Sequence, residues 1–281
     1  MRKVHTIELG FERSLHVEED GDGAAVVLVH GVLATHVDWP PAFKAWLAQR
    51  SRMIAIDRPG HGLSQRPRFK AAPREQAAQV RAALAVLGVE RAHFVGHSFG
   101  ALVALAHAEL FPDATQSLLL VSPICFPEWR PVEHTVLAPR ALPVSGPFVS
   151  AVSNVADPAF LRTVHRLMFW PQAVPPEWER AYPFEQILRP EQMTREGEDA
   201  FAVSPLLPDG WLRLGAIRAP MRIIVGDRDL IADPNRQGRR LARVAPNASV
   251  LTLPGIGHMA HHCAEPQLRS AMIGMLDLES A

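Results

Sequence analysis

The sequence predicts an α/β protein built on a mostly parallel central sheet with helices on both faces. Two observations carry that expectation. Short runs of consecutive apolar residues, such as 24–29 and 118–121, alternate with longer helix-patterned segments, and a strand that is apolar at every position is one buried on both faces. Midway along the chain, the strand-like run Ala92-His93-Phe94-Val95 gives way to the helix-forming stretch Ala101-Leu102-Val103-Ala104-Leu105-Ala106 with five residues between them. With 281 residues, 48% of them hydrophobic and 21% charged, the chain has the length and composition to bury a substantial core.

In chain order, residues 24–29 form the first buried strand, 43–50 a short helix and 53–56 the next strand. Residues 72–87 read as a long Ala-rich helix ending at Gly88, which is free to take the left-handed conformation of a helix C′ position. The strand 92–95 and the helix after it follow, then a strand over 117–121. From about Phe126 to Leu212 the character changes. Prolines crowd this stretch, Trp129, Trp170, Trp178 and Trp211 fall inside it, and no continuous buried strand is visible. Such aromatic content argues against disorder. Residues 126–212 therefore read as a helical cap inserted into a core domain made of residues 1–125 and 213–281. The core pattern resumes with a strand at 221–225, a helix at about 235–244 with Asp233 as its cap before Pro234, a strand at 249–253 and a closing helix at about 265–278.

Composition excludes several classes. Lys plus Arg and Asp plus Glu both total 29, so the formal net charge is zero, and no basic excess points to nucleic acid or an anionic membrane surface. No apolar stretch reaches the ~20 residues needed to span a bilayer, and the first residues lack the apolar segment of a secretory signal. Cys125 and Cys263 are too few for a disulfide framework. These features lead to the expectation of a cytoplasmic protein acting on a small molecule, with its oligomeric state undetermined. No Gly-x-Gly-x-x-Gly follows a strand and no Gly-Lys-Ser/Thr is present, so dinucleotide- and P-loop readings fail. No cofactor is expected.

The residues that suggest chemistry lie at strand ends. Ser98 sits in Gly96-His97-Ser98-Phe99-Gly100, between a strand and a helix. A turn that abrupt strains its central residue, and glycines on either side remove Cβ atoms that would collide. A serine hydroxyl is a weak nucleophile at neutral pH, so it needs a base and a group that orients the base. Two aspartates, Asp227 and Asp229, follow the strand 221–225, and His258 follows the strand 249–253 in Pro254-Gly255-Ile256-Gly257-His258. Carboxyl ends of strands are where α/β sheets place their sites. His261 and His262 lie close by and raise the question of a metal, but no Cys or carboxylate stands at a metal-ligand spacing, so no metal is expected and the two histidines read as the start of the last helix. His97 reads as packing.

The strand–Gly-His-Ser-Phe-Gly–helix unit resembles the nucleophile elbow of the α/β-hydrolases. The resemblance extends to His30-Gly31, to Asp57-Arg58-Pro59-Gly60-His61-Gly62-Leu63-Ser64, to Gly226-x-x-Asp229 and to Gly255-x-Gly257-His258. It implies a triad of Ser98, Asp229 and His258 in the family's chain order, with Asp227 left as a turn residue. It also implies an oxyanion hole made by the backbone N–H groups of Phe99 and Val32, with Leu33 as second choice, and a structural role for the Asp57 loop. A serine at the elbow is unlike the aspartate of haloalkane dehalogenases and epoxide hydrolases. Gly96-His97-Ser98 also differs from the Gly-Asn-Ser of the meta-cleavage C–C hydrolases. The resulting expectation is a serine hydrolase, in particular a carboxylesterase for small to medium apolar esters. Alternatives are lactone or C–C hydrolysis or perhydrolysis on the same triad, and a ligand receptor with little turnover. Trp129, Leu137, Phe148, Phe160, Leu167, Met168, Phe169 and Trp170 are the apolar residues expected either to line a pocket above Ser98 or to form the cap's own core.

Overall fold

A computed structural model describes residues 2–146, 148–149, 157–206 and 211–276. Its centre is an eight-stranded sheet in the order β1-β2-β4-β3-β5-β6-β7-β8. The strands are β1 (Lys3–Glu8), β2 (Ser14–Asp20), β3 (Ala25–Val29), β4 (Arg52–Ile56), β5 (Ala92–His97), β6 (Thr115–Val121), β7 (Met221–Gly226) and β8 (Ala248–Leu253). From β4 through β8 every pairing is parallel, while β1 pairs antiparallel with β2, and β2 with β4. Buried side chains such as Val27, Phe94 and Leu118 pack on one face of the sheet, and Leu28, Val95 and Leu119 on the other. The all-apolar strands are thus covered on both sides, as their composition requires.

Strands β1 and β2 did not show in the reading of buried apolar runs, and the reason is physical. β2 is buried along most of its length, but its inward positions alternate Leu15 and Val17 with His16 and Glu18. The polar pair is satisfied at long range, His16 by Thr6 at 3.1 Å and Glu18 by Lys44 at 2.7 Å.

Among the described residues the α-helices of six or more residues are α1 (Pro41–Ala48), α2 (Pro73–Val86), α3 (Phe99–Leu110), α4 (Asp157–Phe169), α5 (Pro176–Ala181), α6 (Pro190–Ala202), α7 (Gly238–Val244) and α8 (Glu265–Leu276). Pro41 starts α1 two residues earlier than its apolar pattern suggested, since a fixed φ suits the first helical position. At the end of α2, Gly88 takes φ +70°, its N–H donates to the Ala85 carbonyl at 3.1 Å and the Val89 N–H to that of Leu84 at 2.8 Å, closing the helix as expected. Helix α7 begins at Gly238 rather than near residue 235. The Asp233 carboxylate instead accepts from the Asn235 N–H at 2.8 Å, capping the turn before the helix. His261 and His262 belong to a separate helical turn, Ala260–Cys263, ahead of α8. Residues 277 and 278, expected in the closing helix, lie outside the described residues. Cys125 and Cys263 are free thiols.

Between β6 and β7 the described residues contain helices and no strand. Leu161, Phe169, Trp178 and Met193 of this insertion cluster with Leu33 and Met259 from the loops beyond β3 and β8. The insertion therefore shares its apolar core with the loops at the carboxyl edge of the sheet. No helix among the described residues is long and apolar enough to cross a membrane.

Candidate active site

Ser98 is the one residue between β5 and α3, and its backbone is strained at φ +53°, ψ −117°. Non-glycine residues avoid this region, and holding one there costs on the order of 1–3 kcal/mol. The surroundings impose it. The Ser98 N–H donates to Val121 of β6 at 3.0 Å, and its carbonyl accepts from Ala101 at 3.1 Å and Ile124 at 3.2 Å. A Cβ at Gly96 would come 2.6 Å from the Ala101 Cα, and one at Gly100 2.2 Å from the Val29 carbonyl oxygen. The two glycines thus let helix and strands approach closely. The Ser98 hydroxyl is buried and has no hydrogen-bond partner among the described residues.

β7 and β8 deliver the other two groups. His258 Nδ1 lies 2.8 Å from Asp229 Oδ2. An ionised carboxylate only accepts, so the hydrogen belongs on Nδ1 and Nε2 carries the lone pair. The other Asp229 oxygen accepts from the N–H groups of Ile231 at 2.8 Å and Ala232 at 2.9 Å, which fixes the carboxylate's orientation. Asp227 does something different: it accepts from the Gly255 N–H at 2.7 Å and ties two loops together. His258 Nε2, like the Ser98 hydroxyl, is buried without a partner, so the imidazole and the hydroxyl are not hydrogen-bonded to each other. Such bonds often tighten only when substrate is present.

The loop after β3 lies against Ser98, because β3 and β5 are neighbours in register, Val29 beside Gly96. A Cβ on Gly31 would come within 3.2 Å of the Ser98 Cβ. The Phe99 N–H opens α3, where first-turn amides have no intrahelical acceptor. The Leu33 N–H is taken by Glu196 Oε1 at 2.9 Å, which leaves Val32 as the candidate of the pair. Leu33 itself is held at φ +50°, its carbonyl accepting from the Tyr182 hydroxyl.

Sequence reasoning missed what braces this loop. Arg58, fully buried, donates to the Gly31 carbonyl at 3.0 Å and to Asp199 Oδ2 at 2.6 Å, and its guanidinium lies over the Phe99 ring at 4.5 Å. Asp199 on α6 also receives Arg66 at 2.7 Å, His61 at 2.8 Å and Gln76 at 3.0 Å. Burial alone would raise the Asp199 pKa, but Arg66, His61 and Arg58 hold it far below the ordinary carboxylate range. Asp57 is shaped by the same loop, accepting from the His36 N–H at 2.7 Å and the Leu63 N–H at 2.9 Å. Gly62, at φ +58°, is required because a Cβ there would lie 2.1 Å from the Asp57 carboxylate. The expected structural role of this loop is what the geometry gives, with one addition: it bolts the insertion to the core.

Behind His258, the His97 ring lies 4.8 Å from the His258 ring and 4.2 Å from that of His261. His97 Nε2 donates to the His258 carbonyl at 3.3 Å, so His97 supports the His258 backbone beyond simple packing. Burial, with His261 and His258 nearby, keeps His97 neutral. Burial likewise lowers His261 to about 4, against the pull of Asp38. Asp38, His97 and His261 bring donor atoms within 4.8 Å of one another. The Asp38 oxygens, however, already accept from His261 at 3.1 Å, His262 at 3.4 Å and Trp178 at 3.1 Å. The same holds for His61, Glu196 and Asp199, a second cluster of ligand-type atoms engaged within the brace.

A cavity of about 460 Å³ opens onto His258, Asp229, Val32 and Leu33 from beneath the insertion. Of the eight apolar residues expected at such a pocket, Trp129, Leu137, Leu167 and Met168 line it. Phe169 and Phe160 belong instead to the insertion's apolar cluster, and Trp170 and Phe148 are exposed. One lining residue is unlike the rest: Arg130, only 4% exposed.

Comparison with known proteins agrees with this architecture. The α/β-hydrolase fold model matches residues 24–263, and the chain belongs to that family. An uncharacterized protein of Mycobacterium tuberculosis is 39% identical over 121 residues, 43% of this chain and 33% of the relative. A pimeloyl-[acyl-carrier protein] methyl ester esterase of Methylococcus capsulatus is 37% identical over 128 residues, 44% of this chain and 48% of the relative. The chain thus spans about a third to a half of the length of these curated relatives. Among solved structures, the epoxide hydrolase CorEH superposes with a TM-score of 0.81 at 18% identity, covering 99% of both chains, a likeness of fold.

Proposed function

We propose that the protein is a serine hydrolase of carboxylic esters working through an acyl-enzyme. Ser98 is the nucleophile, His258 the base and Asp229 the group that orients it. The observation that carries this reading is a pair of buried, unpartnered reactive atoms, the Ser98 hydroxyl and His258 Nε2. The first sits on a strained turn and the second on an imidazole fixed from behind by Asp229. Leaving two buried polar groups unsatisfied costs several kcal/mol, which a fold tolerates where a substrate supplies the missing partner. The ester cleaved by the Methylococcus capsulatus relative adds support.

In the reaction, Ser98 Oγ attacks the acyl carbon while its proton passes to His258 Nε2. The negative charge moves to the carbonyl oxygen, held by the N–H groups of Val32 and Phe99. The ester C–O bond then breaks, and the leaving oxygen takes the proton from His258. Water repeats the cycle on the acyl-serine, releasing the acid. Residues 126–212 serve as the cap, whose described residues line the cavity and, through Glu196, Tyr182 and Asp199, brace the loop that carries Val32.

A panel of p-nitrophenyl esters, lactones and vinylogous diketones tests the reading. Ester turnover that disappears in Ser98→Ala supports it. Turnover of lactones or diketones alone would move the chemistry to those bonds, and no turnover of any member would leave the fold without this activity.

A further inference from the structure

Arg130 is a buried cation in the wall of the active-site cavity whose charge is only partly answered. Glu133 Oε1 lies 3.3 Å from Arg130 Nε, in ion-pair range. Nη1 and Nη2, with four N–H donors between them, have no hydrogen-bond partner among the described residues. The other carboxylates of the cavity wall hydrogen-bond elsewhere, although the charge of Glu128 also acts on Arg130. Glu128 holds Arg236 at 3.2 Å and Gln237 at 2.9 Å, Asp229 holds His258, and Asp233 binds the N–H of Asn235. The Arg130 backbone N–H donates to His134 Nδ1 at 3.0 Å, anchoring the residue's own main chain.

A buried guanidinium without partners is costly, since its N–H groups have given up water and received nothing. The planar pair of Nη groups matches two oxygens carried on one atom, as in a carboxylate or a phosphate. With Glu133 already beside Nε, a singly charged carboxylate is disfavoured less than a dianion such as a phosphate monoester. The cavity, about 460 Å³, is of a size that encloses a small molecule and has His258 and Arg130 in its wall.

We propose that Arg130 is a substrate-binding residue that receives a carboxylate at the far end of the substrate, so that the preferred substrates are half-esters of small dicarboxylic acids rather than wholly apolar esters. This rests on the serine-hydrolase reading of the same cavity. It replaces the apolar ester with one that is apolar along its middle and anionic at one end.

The test compares monomethyl succinate, glutarate and adipate with their half-amides, in which a neutral carboxamide stands in for the carboxylate. The wild-type enzyme is expected to favour the best half-ester over its half-amide by about 10- to 100-fold in kcat/KM, the worth of hydrogen bonds to a charged group. Arg130→Gln removes that preference, with the loss on the half-ester and little change on the half-amide, and Arg130→Lys restores part of it. Equal losses on both substrates with a lowered Tm would make Arg130 a structural residue and overturn the proposal, as would a wild-type enzyme indifferent to the carboxylate. If Arg130→Gln does not fold, the double variant Arg130→Gln/Glu133→Gln removes the pair together. Should the wild type hydrolyse no ester, Ser98→Ala protein dialysed against adipate and against adipamide still decides the Arg130 proposal. Selective retention of adipate supports it, and equal or no retention overturns it.

Discussion

Two buried polar regions lie on either side of the loop after β3, and they are built on opposite principles. In the brace formed by Arg58, His61, Arg66, Gln76 and Asp199, both oxygens of the central carboxylate are hydrogen-bonded, and its charge is matched by two arginines. Around Ser98 and His258 the backbone is strained and a hydroxyl and an imidazole nitrogen are unpaired, and the cavity that opens onto His258 has in its wall an arginine whose buried Nη groups are unpaired. The polar side chains of both regions are buried. Burial therefore does not separate a structural polar cluster from a chemical one; what differs is which atoms stay unpaired, the Nε–H groups of Arg58 and Arg66 in the brace against a hydroxyl and an imidazole nitrogen that can exchange a proton around Ser98.

The comparison breaks most sharply at Ser98. Replacing it with alanine is expected to lower kcat by a factor on the order of 10⁴ to 10⁶. Ser98→Gly should abolish activity equally while raising stability by about 1–3 kcal/mol, because glycine accepts φ +53° without strain. Chemical denaturation of the two variants measures both effects. Activity in the glycine variant would show that the hydroxyl is not the nucleophile. In the brace the signs reverse. Asp199→Ala leaves Arg58, Arg66 and His61 without their shared anion and is expected to cost about 3–5 kcal/mol, read as a lowered denaturation midpoint.

A third expectation concerns pH. Burial lowers His30 and His107 to about 3, and His165 and His261 to about 4. These side chains are neutral in the folded state until strongly acid pH, while in the unfolded chain they take up protons near pH 6.5. Stability is therefore complete above the unfolded value and falls as pH drops from about 6.5 towards 4, by up to about 1.4 kcal/mol per pH unit for each histidine. Asp199, with its pKa depressed, adds a loss only below about pH 4, where the unfolded carboxyl begins to protonate. Denaturant midpoints measured at stepped pH would show a decline beginning near neutrality. A flat profile down to pH 5 would mean that the histidines charge in the folded state.

A fourth expectation separates the two aspartates. Asp229→Asn is expected to reduce kcat by about 10⁴ through the wrong imidazole tautomer. Asp227→Asn should leave kcat within a few fold and cost about 1 kcal/mol from one loop hydrogen bond.

What was legible in the sequence follows from how far each signal extends along the chain. Ser98 is marked by a strand, two glycines and a helix within a dozen residues, and His258 and Asp229 by short turns directly after apolar strands. The brace was not legible. Arg58 and Asp199 are 141 residues apart and Arg66 and Asp199 133, so the resemblance that marks the Asp57 loop says nothing of the distant carboxylate its arginines meet. β1 and β2 were hidden because β2 buries His16 and Glu18 where a plain strand would bury apolar residues. Arg130 was overlooked for the same reason as Arg58: its burial is created by the insertion folding over the site, not by its neighbours in sequence.

The central claim is that Ser98 is activated by His258 and Asp229, and a fluorophosphonate probe tests it without assuming a substrate. Intact-mass measurement should show one probe per chain on Ser98, no labelling of Ser98→Ala, and labelling slowed by orders of magnitude in His258→Ala while Asp227→Asn reacts like the wild type. Labelling that survives Ser98→Ala, or a wild-type protein that the probe does not modify, would contradict the account.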